Sequence, residues 1–180
     1  MTETLLHITI PYVTLTALGV KPKKAFIASL ISLLPDIDAL LRIHRSQTHS
    51  LPILLAATIP LILLTQETKI KEYVIPATIA LIIHLFLDVF TAPTPILWPL
   101  YNQSIWITIE LNLQITQNPI PSTKPTINIQ ATQTTFQQTS SLEAPIITSQ
   151  GLIITLILLT PTIIQTIKTK LTKTSHHTTN

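Results

Sequence analysis

Asp36, Asp38 and Asp88 are the only aspartates of this chain, and they stand beside His44, His49 and His84 in two short strings, PDIDALLRIHRSQTHS at 35–50 and HLFLDVFT at 84–91. Imidazole and carboxylate together are the donor set that zinc, manganese and iron accept, and a hydrolytic centre needs several such groups around one cavity. The chain has no cysteine, so any metal must be held by His, Asp or Glu. His84 and Asp88 are four residues apart, which on a helix places both on one face, a turn apart. An isolated pair of this kind is as readily a buried hydrogen bond. Asp36 and Asp38 flank Ile37 directly after Pro35; in a turn both carboxylates can point the same way, whereas on an α-helix they diverge. A plain N-cap at Asp36 is the competing reading, and it leaves the second acid unexplained. His44 and His49 bracket a polar loop, and Ser50 with Pro52 reads as the cap and first turn of a helix. His49 would then lie at a helix N-terminus, which favours the neutral imidazole that a metal requires. Arg45 offers a planar fork to a phosphate or carboxylate, or a salt bridge to a neighbouring acid.

The elements that must position these groups are apolar. Charged residues make up 11% of the 180-residue chain, against about 25% in ordinary soluble domains, and hydrophobic residues reach 46%. Apolar runs at roughly 4–20, 25–41, 51–65, 73–92 and 150–167 predict about five transmembrane helices. The second is expected to break at Pro35 and expose backbone at membrane depth, which is tolerated where it lines a cavity. Glu3 stands where a secretory signal needs positive charge, so the first run reads as a retained helix. Lysines at 21, 23, 24, 69, 71, 168, 170 and 173 mark three junctions as cytoplasmic. On that topology His7, in the first helix, joins the two strings at the extracytoplasmic leaflet, where intramembrane acids require partners. From Ile105 to Ile115 every second residue is apolar, a strand period that predicts a small extracytoplasmic β-hairpin. The fold expected is therefore an all-α integral membrane bundle over 1–103 and 150–171 carrying the site, with a polar hairpin insertion at 104–149 and a polar tail at 172–180. A net charge of +3 with no basic patch interleaved with aromatics gives no reason to expect a nucleic-acid partner.

An early histidine, a PD-x-D turn, an HR-x-x-THS loop and a later H-x-x-x-D-x-x-T string resemble the YdjM-like family of LexA-binding, inner-membrane-associated proteins, predicted membrane-bound metal-dependent hydrolases. The resemblance rests on His7, Pro35, Asp36, Asp38, His44, Arg45, Thr48, His49, Ser50, His84, Asp88 and Thr91, and runs from His7 to about Pro99. Where that family commonly has glycine after the last string, this chain has Ala92-Pro93-Thr94-Pro95. The spacing is also similar, distantly, to that of zinc-dependent bacterial phospholipases C, which implies phosphoester substrates. The expected metal ligands are His7, Asp36, Asp38, His44, His49, His84 and Asp88, with zinc first and manganese or iron next. Asp38 as general base, Arg45 and His49 form the expected catalytic group. A Ser50–His49–Asp36 triad is disfavoured, because neighbours in sequence rarely meet triad geometry and His84 and Asp88 would have no role. The activity expected is hydrolysis of a phosphoester or lipid-like ester among membrane lipids, at a cell-membrane site facing outward. A scaffold with a structural metal is the alternative; a metal-ion transporter would be expected to show paired halves, which are absent from the sequence.

Overall fold

The computed structural model describes residues 3–43, 45–114, 122–138 and 146–177. Five α-helices appear in chain order: α1 Thr4–Ala17, α2 Pro22–Ile31, α3 Leu51–Leu64, α4 Lys71–Val89 and α5 Ser149–His177. Two short 3₁₀ helices, Pro35–Leu41 and Gln47–His49, lie between α2 and α3. Strands β1 Gln103–Gln114 and β2 Ser122–Gln133 pair antiparallel, from Gln103 opposite Gln133 to Gln114 opposite Ser122.

Local chemistry sets these boundaries. Gly19 takes a positive φ of 85° to turn the chain out of α1, and Pro22 opens α2 where its missing N–H costs nothing. Proline also ends things: α2 stops at Ile31, and the chain tightens into the 3₁₀ helix that begins at Pro35. Ser50 caps α3 by accepting a hydrogen bond from the Ile53 N–H.

α4 is the centre of the helical part and packs against α1, α2 and α3. Leu15, Ala25, Ala28, Ala77 and Ala80 form one buried cluster where α1, α2 and α4 meet. Four of those five are alanines, which lets helix backbones approach closely. Leu54, Leu81 and Leu85 form the second cluster, between α3 and α4. α5 lies along α1, where the Thr9 and Thr155 hydroxyls are 3.2 Å apart. The strand pair joins the helical part through Thr94 and Ile105, which exchange two backbone hydrogen bonds of 3.0 and 2.8 Å.

The all-α bundle with about five membrane crossings is not what the chain forms. At 1.5 Å per residue the 14 residues of α1 and of α3 are about 21 Å long and the 10 of α2 about 15 Å, short of a bilayer core of about 30 Å. Among the described residues α4, with 19 residues, is the one helix long and apolar enough to cross. The expected antiparallel strand pair is present as β1 and β2, so it is the number of crossings that changes. Five helices form as expected, and it is the five crossings that fail, for a physical reason: hydropathy reports the transfer of side chains, and the first two apolar runs continue into the turns at 18–20 and 32–34 where α1 and α2 have already ended.

Candidate metal centre

The Asp36 and Asp38 side chains leave the same 3₁₀ helix two residues apart. With three residues per turn they point in different directions, and the ring of His49 lies between them. Asp36 Oδ1 is 3.3 Å from His49 Nε2, while Asp38 Oδ2 is 3.2 Å from His49 Nδ1. Asp38 is fixed in turn by the Ser46 N–H, which donates to its Oδ2 at 2.6 Å. The Thr48 hydroxyl lies 3.1 Å from the same oxygen and 3.0 Å from the Pro35 carbonyl.

α4 supplies the other half. His84 Nε2 lies 3.5 Å from Asp36 Oδ1 and 3.3 Å from Asp88 Oδ2, and the latter oxygen is also 3.2 Å from His49 Nε2. Asp88 turns its second oxygen, Oδ1, toward Arg45, whose Nη2 donates to it at 2.8 Å and to the Thr91 hydroxyl at 2.7 Å. Arg45 is buried, has a positive φ of 55°, and its Nε and Nη1 make no hydrogen bond among the described residues. His7 reaches the centre from α1: its ring centroid is 4.1 Å from that of His84, and its Nε2 is 3.8 Å from Asp88 Oδ1. The Ser32 hydroxyl holds the His7 carbonyl at 3.0 Å.

Asp36, His49, His84 and Asp88 thus each offer one ligand atom, all within 4.8 Å of one another. Two donors bound about 2.0–2.1 Å from one ion at a tetrahedral angle are about 3.3 Å apart. The four imidazole-to-carboxylate separations, 3.2–3.5 Å, match that spacing. His84 Nε2 is buried and faces two carboxylates without making a hydrogen bond to either, as a donor aimed at a shared cation would. The residues therefore fit a divalent ion. Asp38 lies one layer back, on the far nitrogen of His49, in the carboxylate–histidine arrangement that fixes the tautomer and orientation of a ligating ring. His7 stands beside this group, and His44 lies outside the described residues.

Electrostatics agrees with a site built for positive charge. Burial alone would depress the His49 imidazole, but hydrogen bonds to Asp36, Asp38 and Asp88 outweigh it and push its pKa up to about 10. Asp36 and Asp38 are held below the usual carboxylate range, against the opposing effect of burial, chiefly by hydrogen bonds from His49. Within the described centre the sequence did not single out Ser46, whose backbone N–H anchors Asp38; nothing in its residue type signals that role.

Apolar helices closed around buried imidazoles and carboxylates define a membrane-associated protein with a candidate metal site. The chain belongs to the YdjM inner membrane protein family, whose family model matches residues 1–170. Comparison with curated proteins and with solved structures finds no match.

Proposed function

We propose that this chain is a membrane-bound, metal-dependent hydrolase acting on a phosphoester or lipid-like ester at the outward face of the membrane. The observation that carries this reading is the compact group of Asp36, His49, His84 and Asp88, two imidazoles and two carboxylates aimed at one point. Asp36, His49, His84 and Asp88 would hold a divalent ion, zinc by preference, and such an ion would supply a water of lowered pKa, from 15.7 to about 7, and polarisation of the scissile bond.

The surrounding residues have roles that their contacts support. Asp36 is the most accessible of the four, its side chain 32% exposed, and it marks the side from which a substrate arrives. Arg45 already neutralises Asp88, and its two remaining donor groups suit it to an anionic substrate oxygen. Asp38, expected from sequence as the general base, has its Oδ2 engaged by Ser46, Thr48 and His49, which suits a residue that orients His49. His7 packs on His84 and limits its ring orientation.

One observation favours a structural metal instead: His49 and His84 are fully buried, as in a closed site. Metal analysis of detergent-purified protein, wild type against His84→Ala plus Asp88→Ala, tests the site itself. Stoichiometric metal in the wild type and its loss in the double variant are expected; a metal-free wild type sinks the proposal. Turnover of bis-p-nitrophenyl phosphate then separates the two readings. An enzyme with Asp88→Ala loses turnover and stays folded, whereas a structural site loses the fold.

A further inference from the structure

A cleft of about 510 Å³ runs between α3 and α4. Its walls are Leu54, Ala57 and Leu61 from α3 and Val74, Ala77 and Leu81 from α4. Thr58 and Thr78 also line it, but each hydroxyl donates to a carbonyl of its own helix, Leu54 O and Val74 O, at 2.9 Å. Water inside would find almost nothing to bond, so the cleft is suited to an apolar occupant.

The two ends of the cleft differ. Pro35 and Thr48 close one end, and there the Thr48 hydroxyl sits between the Pro35 carbonyl and Asp38 Oδ2, at the edge of the metal centre. Ile70 and Tyr73 lie at the other, near the start of α4. From Tyr73 to Leu81 the helix rises about 12 Å. One leaflet of a bilayer core, half of about 30 Å, is about 15 Å deep. The cleft is thus nearly as long as the hydrocarbon of one leaflet is deep, apolar along most of its length, and at the end lined by Thr48 it adjoins the metal centre through the contact of that hydroxyl with Asp38.

We infer that this cleft holds the hydrocarbon chain of the substrate, an amphiphile drawn from the surrounding bilayer, with its phosphate-bearing head at the metal centre and its chain running along α4 toward the lysine-rich end. The inference rests on the hydrolase reading and narrows its substrate class from esters in general to lipids. Continuity with the metal centre decides the occupant: a peptide or a second copy of the chain would bring a row of backbone polar groups into a cleft whose described walls are almost wholly apolar.

A dodecyl phosphate carrying a diazirine at its methyl end, incorporated with the full-length protein into phosphatidylcholine nanodiscs, tests this directly. Photolysis should label peptides covering 53–61 and 73–81, and unlabelled dodecyl phosphate should compete. Ala57→Trp fills the cleft from an exposed position of α3 and should cut labelling of both segments by about tenfold, with Ala57→Leu giving a smaller cut. Ala56→Trp, one residue away and outside the cleft, should leave it unchanged. Labelling spread evenly over the exposed helix faces, or unaffected by either Ala57 variant, overturns the inference. Metal content measured on the same samples separates the two failures. A metal-loaded protein without cleft labelling leaves the hydrolase reading standing, and cleft labelling of a metal-free protein removes the hydrolase reading while retaining the lipid site.

Discussion

His49 is held at both ring nitrogens, by Asp36 on one side and Asp38 on the other, and this arrangement makes its protonation the variable that metal binding must change. Asp38→Asn keeps an acceptor near the Nδ1 proton but removes the charge that makes the opposite nitrogen a stronger donor to metal. Loss of such an outer carboxylate lowers metal affinity by about 10- to 100-fold. Competition with a chelator on folded protein measures this, and an unchanged affinity would show that Asp38 does not act through His49. The pH dependence has a definite sign. Without metal the His49 imidazolium persists up to a pKa of about 10, well above its ordinary 6.5, whereas a ligating imidazole is neutral. Each ion bound between pH 6 and 8 should therefore expel a proton from His49, and apparent affinity should rise with pH. Calorimetric titration in two buffers of different ionisation enthalpy counts the released protons; a binding heat independent of buffer would contradict this.

At the scale of elements, the loop before α3 decides where His49 sits. Ser50 caps the helix through Ile53, and its hydroxyl also bonds the Trp98 carbonyl, tying the start of α3 to the segment after α4. Ser50→Ala should cost about 1–2 kcal/mol through loss of the cap. It should leave metal content and turnover in place, because the hydroxyl is committed to Trp98. Thermal unfolding and metal analysis of one sample check both halves, and abolished turnover with intact metal would revive Ser50 as a nucleophile. These elements also show what sequence pattern can and cannot convey. The four-residue spacing of His84 and Asp88 fixes a shared face as soon as the segment is helical, so that half of the centre is legible. The same holds for β1, where alternation over 105–114 is a property of the strand itself. The grip of Asp36 and Asp38 on opposite nitrogens of one ring is not legible, because it depends on a 3₁₀ helix whose geometry the residue types do not dictate. A helix end was hidden for a related reason: Ile31 closes α2 inside an apolar run that continues through Leu34, whereas α3 ends at Leu64, where its run also stops.

Across the whole molecule, charge and chemistry separate to opposite ends. Lys24 pairs with Glu72 and lies 5.4 Å from the centre of the Tyr73 ring, so the start of α2 and the start of α4 meet at a lysine-rich end. His84 and Asp88 lie near the other end of α4, with His7 and the strand pair beside them. Lys71 to Asp88 is about 26 Å along the helix axis, close to the thickness of a bilayer core. A single crossing by α4 is therefore enough to put the two ends on opposite faces, and the shorter helices need only pack against it. Lysine-rich ends stay cytoplasmic, so the metal centre and the strands are expected on the outward side. The chain has no cysteine, which makes any introduced thiol a unique reporter. Lys69→Cys and Glu110→Cys replace exposed residues at the two ends. A membrane-impermeant maleimide should label Glu110→Cys in intact spheroplasts and Lys69→Cys only in inverted vesicles. Labelling of both from one side would mean that α4 does not separate the ends across the membrane, and if that side were the cytoplasmic one the centre would have to meet its substrate there.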